Sequence, residues 1–124
     1  MLDAAPRRVL SADAYRKTEG IPNMIRHIML VKLHEIHEGK NRDEQIEELS
    51  GLIENMLKGA EEVASFSLDC ESGSLDPVDA DICIQSDFND AEALEEFSLN
   101  MEHLAVSIKV AEHAETILAY DLKL

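Results

Sequence analysis

Residues 25–33 read Ile-Arg-His-Ile-Met-Leu-Val-Lys-Leu, the run that most constrains the fold. Alternation along an extended strand puts His27, Met29, Val31 and Leu33 on one face and Ile28 and Leu30 on the other. A strand that is apolar on both faces has to be covered on both faces, so the fold must supply a layer on each side of it. His27 stands alone among these side chains. A buried imidazole must find a partner or face a cavity, because burying an unpaired polar group is costly.

Beyond this strand the hydrophobic period switches between 2 and 3.6 in an orderly way. After a polar turn through Glu38, Gly39 and Lys40, Asn41 and Glu44 have the spacing of a capping box, and Ile46, Leu49, Ile53 and Leu57 recur as a helical stripe that stops near Gly59. Val63 to Asp69 alternates as a strand, Gly73 and Pro77 mark a turn, and Val78, Ala80, Ile82, Ile84 and Phe88 alternate with Asp79, Asp81, Gln85 and Asp87. Asn89 and Glu92 repeat the capping-box spacing. Leu94, Phe97, Met101, Leu104, Ile108 and Ala111 then predict a second helical stripe with a break near Asn100, and Thr116 to Leu122 a last strand. The order β-α-β-β-α-β predicts an α+β, ferredoxin-like subunit: a four-stranded antiparallel sheet with both helices on one face. The other face stays open, and Ile28 and Leu30 lie on it. A homodimer, sheet against sheet, is the simplest cover.

The chain has 124 residues, 45% of them hydrophobic, which fits one domain with a modest core. Its formal charge of -15 excludes nucleic acid as a partner, since that affinity rests on Lys and Arg neutralising phosphates, and it disfavours anionic membrane surfaces. With no apolar stretch near 18 residues and no signal-peptide core, the expectation is a cytoplasmic protein. Met1 to Asn23 differs in kind: it holds four of the eleven basic residues, Pro6 and Pro22, and no sustained period. It reads as an arm or leader outside a domain running from Met24 to Leu124, either upstream of a natural start at Met24 or carrying a short helix around Ala12 to Lys17 that docks on a neighbour. Cys70 and Cys83 read as reduced thiols, because a symmetric hairpin places Cys83 opposite a residue near Ser65.

A second histidine, His103, falls on the second helical segment, whose strand-facing side packs over His27. The expected pocket holds both imidazoles among Met29, Val31, Phe97, Leu104 and Ile108. Two roles stay open for them: acid, base or ligand contact within that pocket, or structural hydrogen bonding at a strand start and a helix break. His34 and His37, with Glu35 and Glu38, have a spacing that a metal could use, but a loop fixes no geometry for them and a solvated turn is the simpler reading. No metal site and no cofactor is expected. His113 is expected to complement the negative end of its helix, and Glu44, Glu47, Glu48 and Glu54 to form a solubility surface.

Taken together, several segments resemble the stress-responsive A/B barrel domain, a family of dimeric α+β barrels built from ferredoxin-like subunits. They are Ile25 to Leu33, Phe88 through Leu94, Asn100-Met101-Glu102-His103 where the family often has His-Pro-x-His, and Ile117-Leu118-Ala119-Tyr120-Asp121. The resemblance covers about Met24 to Asp121. It implies a homodimer, and the family includes plant stress-associated proteins and a polyketide cyclase. In the cyclase-like subset, the pocket histidines match His27 and His103, while a pocket tyrosine falls on Phe97, which has no hydroxyl. Losing one such oxyanion donor commonly costs on the order of 100-fold in rate, so the cyclase reaction does not carry over intact. Three readings are compatible with these residues. The first is a non-enzymatic or ligand-sequestering dimer that takes a small hydrophobic molecule. The second is a small-molecule enzyme, a cyclase-like lyase or a cofactor-free oxygenase or isomerase, using His103 and His27 as acid and base. The third is an interaction module whose arm docks on a partner.

Overall fold

The computed structural model describes residues 23–70 and 80–124. The arm with its helix around Ala12 to Lys17, and the turn at Gly73 and Pro77 with Val78 and Asp79, lie outside the described residues. In chain order the elements are β1 (Ile25–Leu33), β2 (Ile36–His37), β3 (Lys40–Asn41), α1 (Arg42–Gly59), β4 (Val63–Asp69), β5 (Ile82–Phe88), α2 (Ala91–Ser98), α3 (Met101–His113) and β6 (Ala114–Lys123). The main sheet runs β4-β5-β1-β6, and its neighbours pair antiparallel. This is the ferredoxin-like α+β arrangement, with a small β2–β3 hairpin added after β1. The central position of β1 accounts for its apolar run: β5 and β6 flank it, helices cover one face, and Val31 and Leu33 are fully buried.

α1 starts as its sequence dictates. The Asn41 side chain accepts from the Glu44 amide at 2.9 Å, and the Glu44 carboxylate accepts from the Asn41 amide at 3.0 Å. The helix buries Gln45, Leu49, Ile53, Met56 and Leu57 on the sheet and ends at Gly59. α2 begins one residue later than the Asn89 spacing implies, because Asp90 provides the cap by accepting from the Ala93 amide.

The expected break near Asn100 is present, and it changes the phase of the helix beyond it. Asn100 caps a new helix by accepting from the Glu102 and His103 amides. A fresh start resets the helical phase, so the stripe that includes Phe97 does not continue through Met101, Leu104 and Ile108. Instead Val110 and His113 are buried and His103 and Val106 half-buried, while Ile108 is 63% exposed. Fully burying each large apolar core side chain, such as Leu33, Leu49, Ile82 or Phe88, contributes about 1.5–3 kcal/mol.

The β4–β5 register also differs from the symmetric one. Cys83 pairs with Asp69, next to Cys70, rather than near Ser65, because the register that seats Ser67 on Gln85 and Leu68 on Ile84 runs on unchanged to it. No disulfide joins the two cysteines. Cys70 packs toward the core, whereas Cys83 alternates with the core-facing Ile82 and Ile84 and so lies on the opposite face. On that open face Ile28 pairs with Tyr120 and Leu30 with Leu118, and the two β6 residues are exposed.

Candidate ligand pocket

Strand pairing sets the first half of the site. His27 and Asp121 are direct cross-strand partners on the helix-facing side of β1 and β6, which brings their side chains together. His27 Nδ1 lies 2.5 Å from Asp121 Oδ1 and donates to that carboxylate. This fixes the tautomer and leaves Nε2 as the nitrogen available to a ligand.

A helix cap sets the second half. By restarting the helix at Asn100, the cap places His103 in the first turn of α3 on its sheet-facing side. Its ring packs 4.5 Å from the Phe97 ring centroid, Nε2 lies 3.3 Å from Ser107 Oγ, and Nδ1 is buried without a hydrogen-bond partner. Burial pushes the His103 pKa below the ordinary 6.5; the nearby Ser98 carbonyl opposes that shift, and His27 adds to it. His103 is therefore neutral at pH 7.

Between the two imidazoles lies a cavity of about 90 Å³. Its walls include Met29, Ile84 and Ser86 from the sheet, Met56 from α1, and Phe97 and Val110 from the second helical pair. Of the residues expected to line the pocket, His27, His103, Met29 and Phe97 do so. Val31 does not, because it is fully buried two residues further along β1 in the solid core. Leu104 and Ile108 do not either, because the reset helical phase turns them to the outer surface of α3. The sequence pattern does not single out Ser86 and Ser107 as lining residues. Ser86 breaks the alternation Ile82, Ile84, Phe88 at a core-facing position, and Ser107 stands one turn after His103, so each leaves a faint signal.

The remaining histidines belong elsewhere. His34 is exposed at the end of β1. His37 stacks on His113 with ring centroids 4.4 Å apart. His113 is 1% exposed and packs inside the fold rather than acting as a charged helix end, and burial holds its pKa below 6.5. Glu48 is not a purely solubilising residue: it pairs with Lys40 at 2.6 Å and Lys109 at 3.5 Å. Among the described residues, no group of three or more His, Cys, Asp or Glu side chains could hold a metal ion, and no helix is long and apolar enough to cross a membrane.

No curated protein matches the sequence. Solved structures do match the fold. A dimeric protein of unknown function and ferredoxin-like fold from Bacteroides fragilis shares 19% identity, with a TM-score of 0.68 over 82% of this chain and 96% of that one. A dimeric ferredoxin-like protein of unknown function from Thermobifida fusca shares 18%, with a TM-score of 0.68 over 82% and 91%. The hydroxynitrile lyase of Passiflora edulis shares 15%, with a TM-score of 0.68 over 83% and 94%. At these identities the likeness concerns the fold. The sequence itself matches the model of the Stress responsive A/B Barrel Domain over residues 25–124, and the chain therefore belongs to that family.

Proposed function

We propose that this protein is a homodimeric, non-enzymatic A/B barrel that binds a small, mostly apolar molecule carrying one polar group. The observation that carries the reading is the mostly apolar cavity lined by two imidazoles, one oriented by Asp121 and the other neutral. The neutral His103 ring suits a hydroxyl or carbonyl, since such a ring can both donate and accept, and His27 presents Nε2 to the same cavity. A cavity of about 90 Å³ is smaller than the roughly 150 Å³ that holds benzene and well below the few hundred typical of substrate pockets. That size, and Phe97 where the cyclase-like pocket has a tyrosine, count against the enzyme reading. The exposed Leu118 and Tyr120 beside Ile28 and Leu30 support pairing through the open sheet face. Two cysteines without a disulfide between them fit a reducing, cytoplasmic setting.

2-Propanol, a three-carbon chain with one hydroxyl, is a probe small enough for this cavity. NMR titration is expected to shift the methyl signals of Met29, Val106 and Val110, and His27→Ala and His103→Ala are each expected to weaken binding roughly fivefold or more, the equivalent of about 1 kcal/mol per lost hydrogen bond. Unchanged affinity in both variants would remove the pocket assignment. Native mass spectrometry of gently purified protein tests the rest. A dimer carrying a removable organic mass supports the proposal, and a bare monomer refutes the dimer.

A further inference from the structure

The second histidine pair lies at the other end of α3, apart from the pocket, and it ties down an element with little else to hold it. The β2–β3 hairpin has two residue pairs, Ile36 with Asn41 and His37 with Lys40, closed by a turn in which Glu38 and Gly39 both have positive φ, 50° and 80°. A two-stranded ribbon of this size has no stability of its own. Ile36, its large apolar side chain, is exposed. What joins the hairpin to the body is polar. The Gln45 amide donates to the His34 carbonyl at 2.9 Å and the Lys40 carbonyl at 3.2 Å, Lys40 pairs with Glu48, and the His37 ring lies on His113.

These bonds also fix the protonation of the pair. Gln45 spends its NH₂ group on two carbonyls, so Oε1 is the atom facing His113 and must accept from Nδ1–H at 3.0 Å. In the neutral ring, Nε2 is then a bare lone pair. His113 Nε2 and His37 Nε2 are both buried with no hydrogen-bond partner. A proton added to the pair therefore lands on an atom with no acceptor in place, beside a second imidazole.

The charged groups facing the pair come from each element packed on it. Glu48 of α1 is already matched by Lys40 of the hairpin and Lys109 of α3, and Lys109 itself opposes a further positive charge. Glu38 of the hairpin turn is the remaining carboxylate, with Oε1 3.9 Å from His37 Nε2, and it is exposed to solvent. A protonated His37 gains by turning toward Glu38 and water, and that movement takes its ring off His113.

We propose that the His37–His113 pair is an acid-sensitive latch: a proton taken up there releases the β2–β3 hairpin from α1 and α3, reversibly and without unfolding the sheet. Burial, which depresses the His113 pKa, acts in the same direction. Because the His113 ring is held below its ordinary 6.5, the latch is closed at neutral pH and weakens on acidification below that value.

Hydrogen exchange of the full chain, read by mass spectrometry on a peptide spanning residues 34–41 and corrected for the intrinsic pH dependence of exchange, tests this at pH 7.5 and 5.5. Protection of that peptide is expected to fall at least tenfold at the lower pH while β1 and β5 keep theirs. His37→Phe keeps a stacking ring but leaves His113 as the pair's only titratable ring, and it is expected to show a smaller fall in protection between the two pH values. Equal wild-type protection at the two pH values overturns the latch without recourse to any variant. Loosening of β1 and β5 to the same extent, or an undiminished response in His37→Phe, overturns it as well.

Discussion

Gln45→Leu should be among the most damaging single substitutions in this chain even though it makes the core more apolar. Gln45 is fully buried and makes three hydrogen bonds, one accepted from His113 and two donated to the His34 and Lys40 carbonyls. Leucine is similar in volume, so little cavity is left and the loss is mainly polar. The buried His113 N–H left without an acceptor costs about 1–3 kcal/mol. The two carbonyls lie near the surface and recover water, so they add about 0.5 kcal/mol each, the low end for a lost hydrogen bond. The sum, about 2–4 kcal/mol, is a large share of the 5–15 kcal/mol that holds a domain of this size together. It corresponds to a Tm lower by roughly 10–25 °C. Urea unfolding at pH 7.5, where His113 is neutral, measures it directly. The double variant Gln45→Leu, His113→Leu removes both partners and should be more stable than the sum of the two single losses predicts, because no orphaned donor remains. A loss below about 0.5 kcal/mol in the single variant would refute the assignment of Gln45 as the bond-making centre of this corner.

Other consequences are open to equally direct tests. His103 and His113 both titrate below 6.5 in the folded state, so the unfolded chain binds more protons on acidification; stability should be level above about pH 6.5 and decline below it, and urea melts showing a gain between pH 6.5 and 5.5 would contradict this. Val110→Ala should cost about 2 kcal/mol and Ile108→Ala less than about 0.5, because Val110 is buried and Ile108 is exposed; equal losses by chemical denaturation would refute the helical register of α3. Asp121→Asn keeps a hydrogen-bonding group beside His27 but removes the charge, and ¹⁵N spectra of the imidazole should lose the single Nδ1–H tautomer. Unaltered spectra would mean that the carboxylate does not orient the ring. Hydrogen bonding from Arg26 holds the Asp87 carboxyl below its usual value, so Arg26→Met should cost up to about 1 kcal/mol at pH 7, an effect that disappears as pH falls below about 3.8.

Much of this architecture was legible in the order of residues. The apolar run at Ile25–Leu33 demanded a strand covered on both faces, Asn41 and Glu44 started a helix where they stand, and Asn100 interrupted one. These are local signals, each decided within a few residues by alternation or by a side chain satisfying nearby amides. The two imidazoles of the pocket were legible for the same reason, since each sits at a position that its own element turns toward the other layer.

The rest depended on contacts between segments distant in sequence. The break at Asn100 could be read, but not the angle at which α3 resumes, and that angle moved Leu104 and Ile108 from pocket to surface and brought Val106 and Ser107 in. The carboxylate that orients His27 lies 94 residues away, placed by the register of β1 on β6. Gln45, His37 and His113 come from three elements, and none of them carries a pattern that points to the other two. Sequence therefore determined the elements and the pocket's two histidines, because local periodicity and capping are enough to place them. Tertiary structure decided the partners of His27, His37, His103 and His113, because strand register and helix phase are set by packing over the whole sheet, and a shift of one residue in either points a side chain the other way.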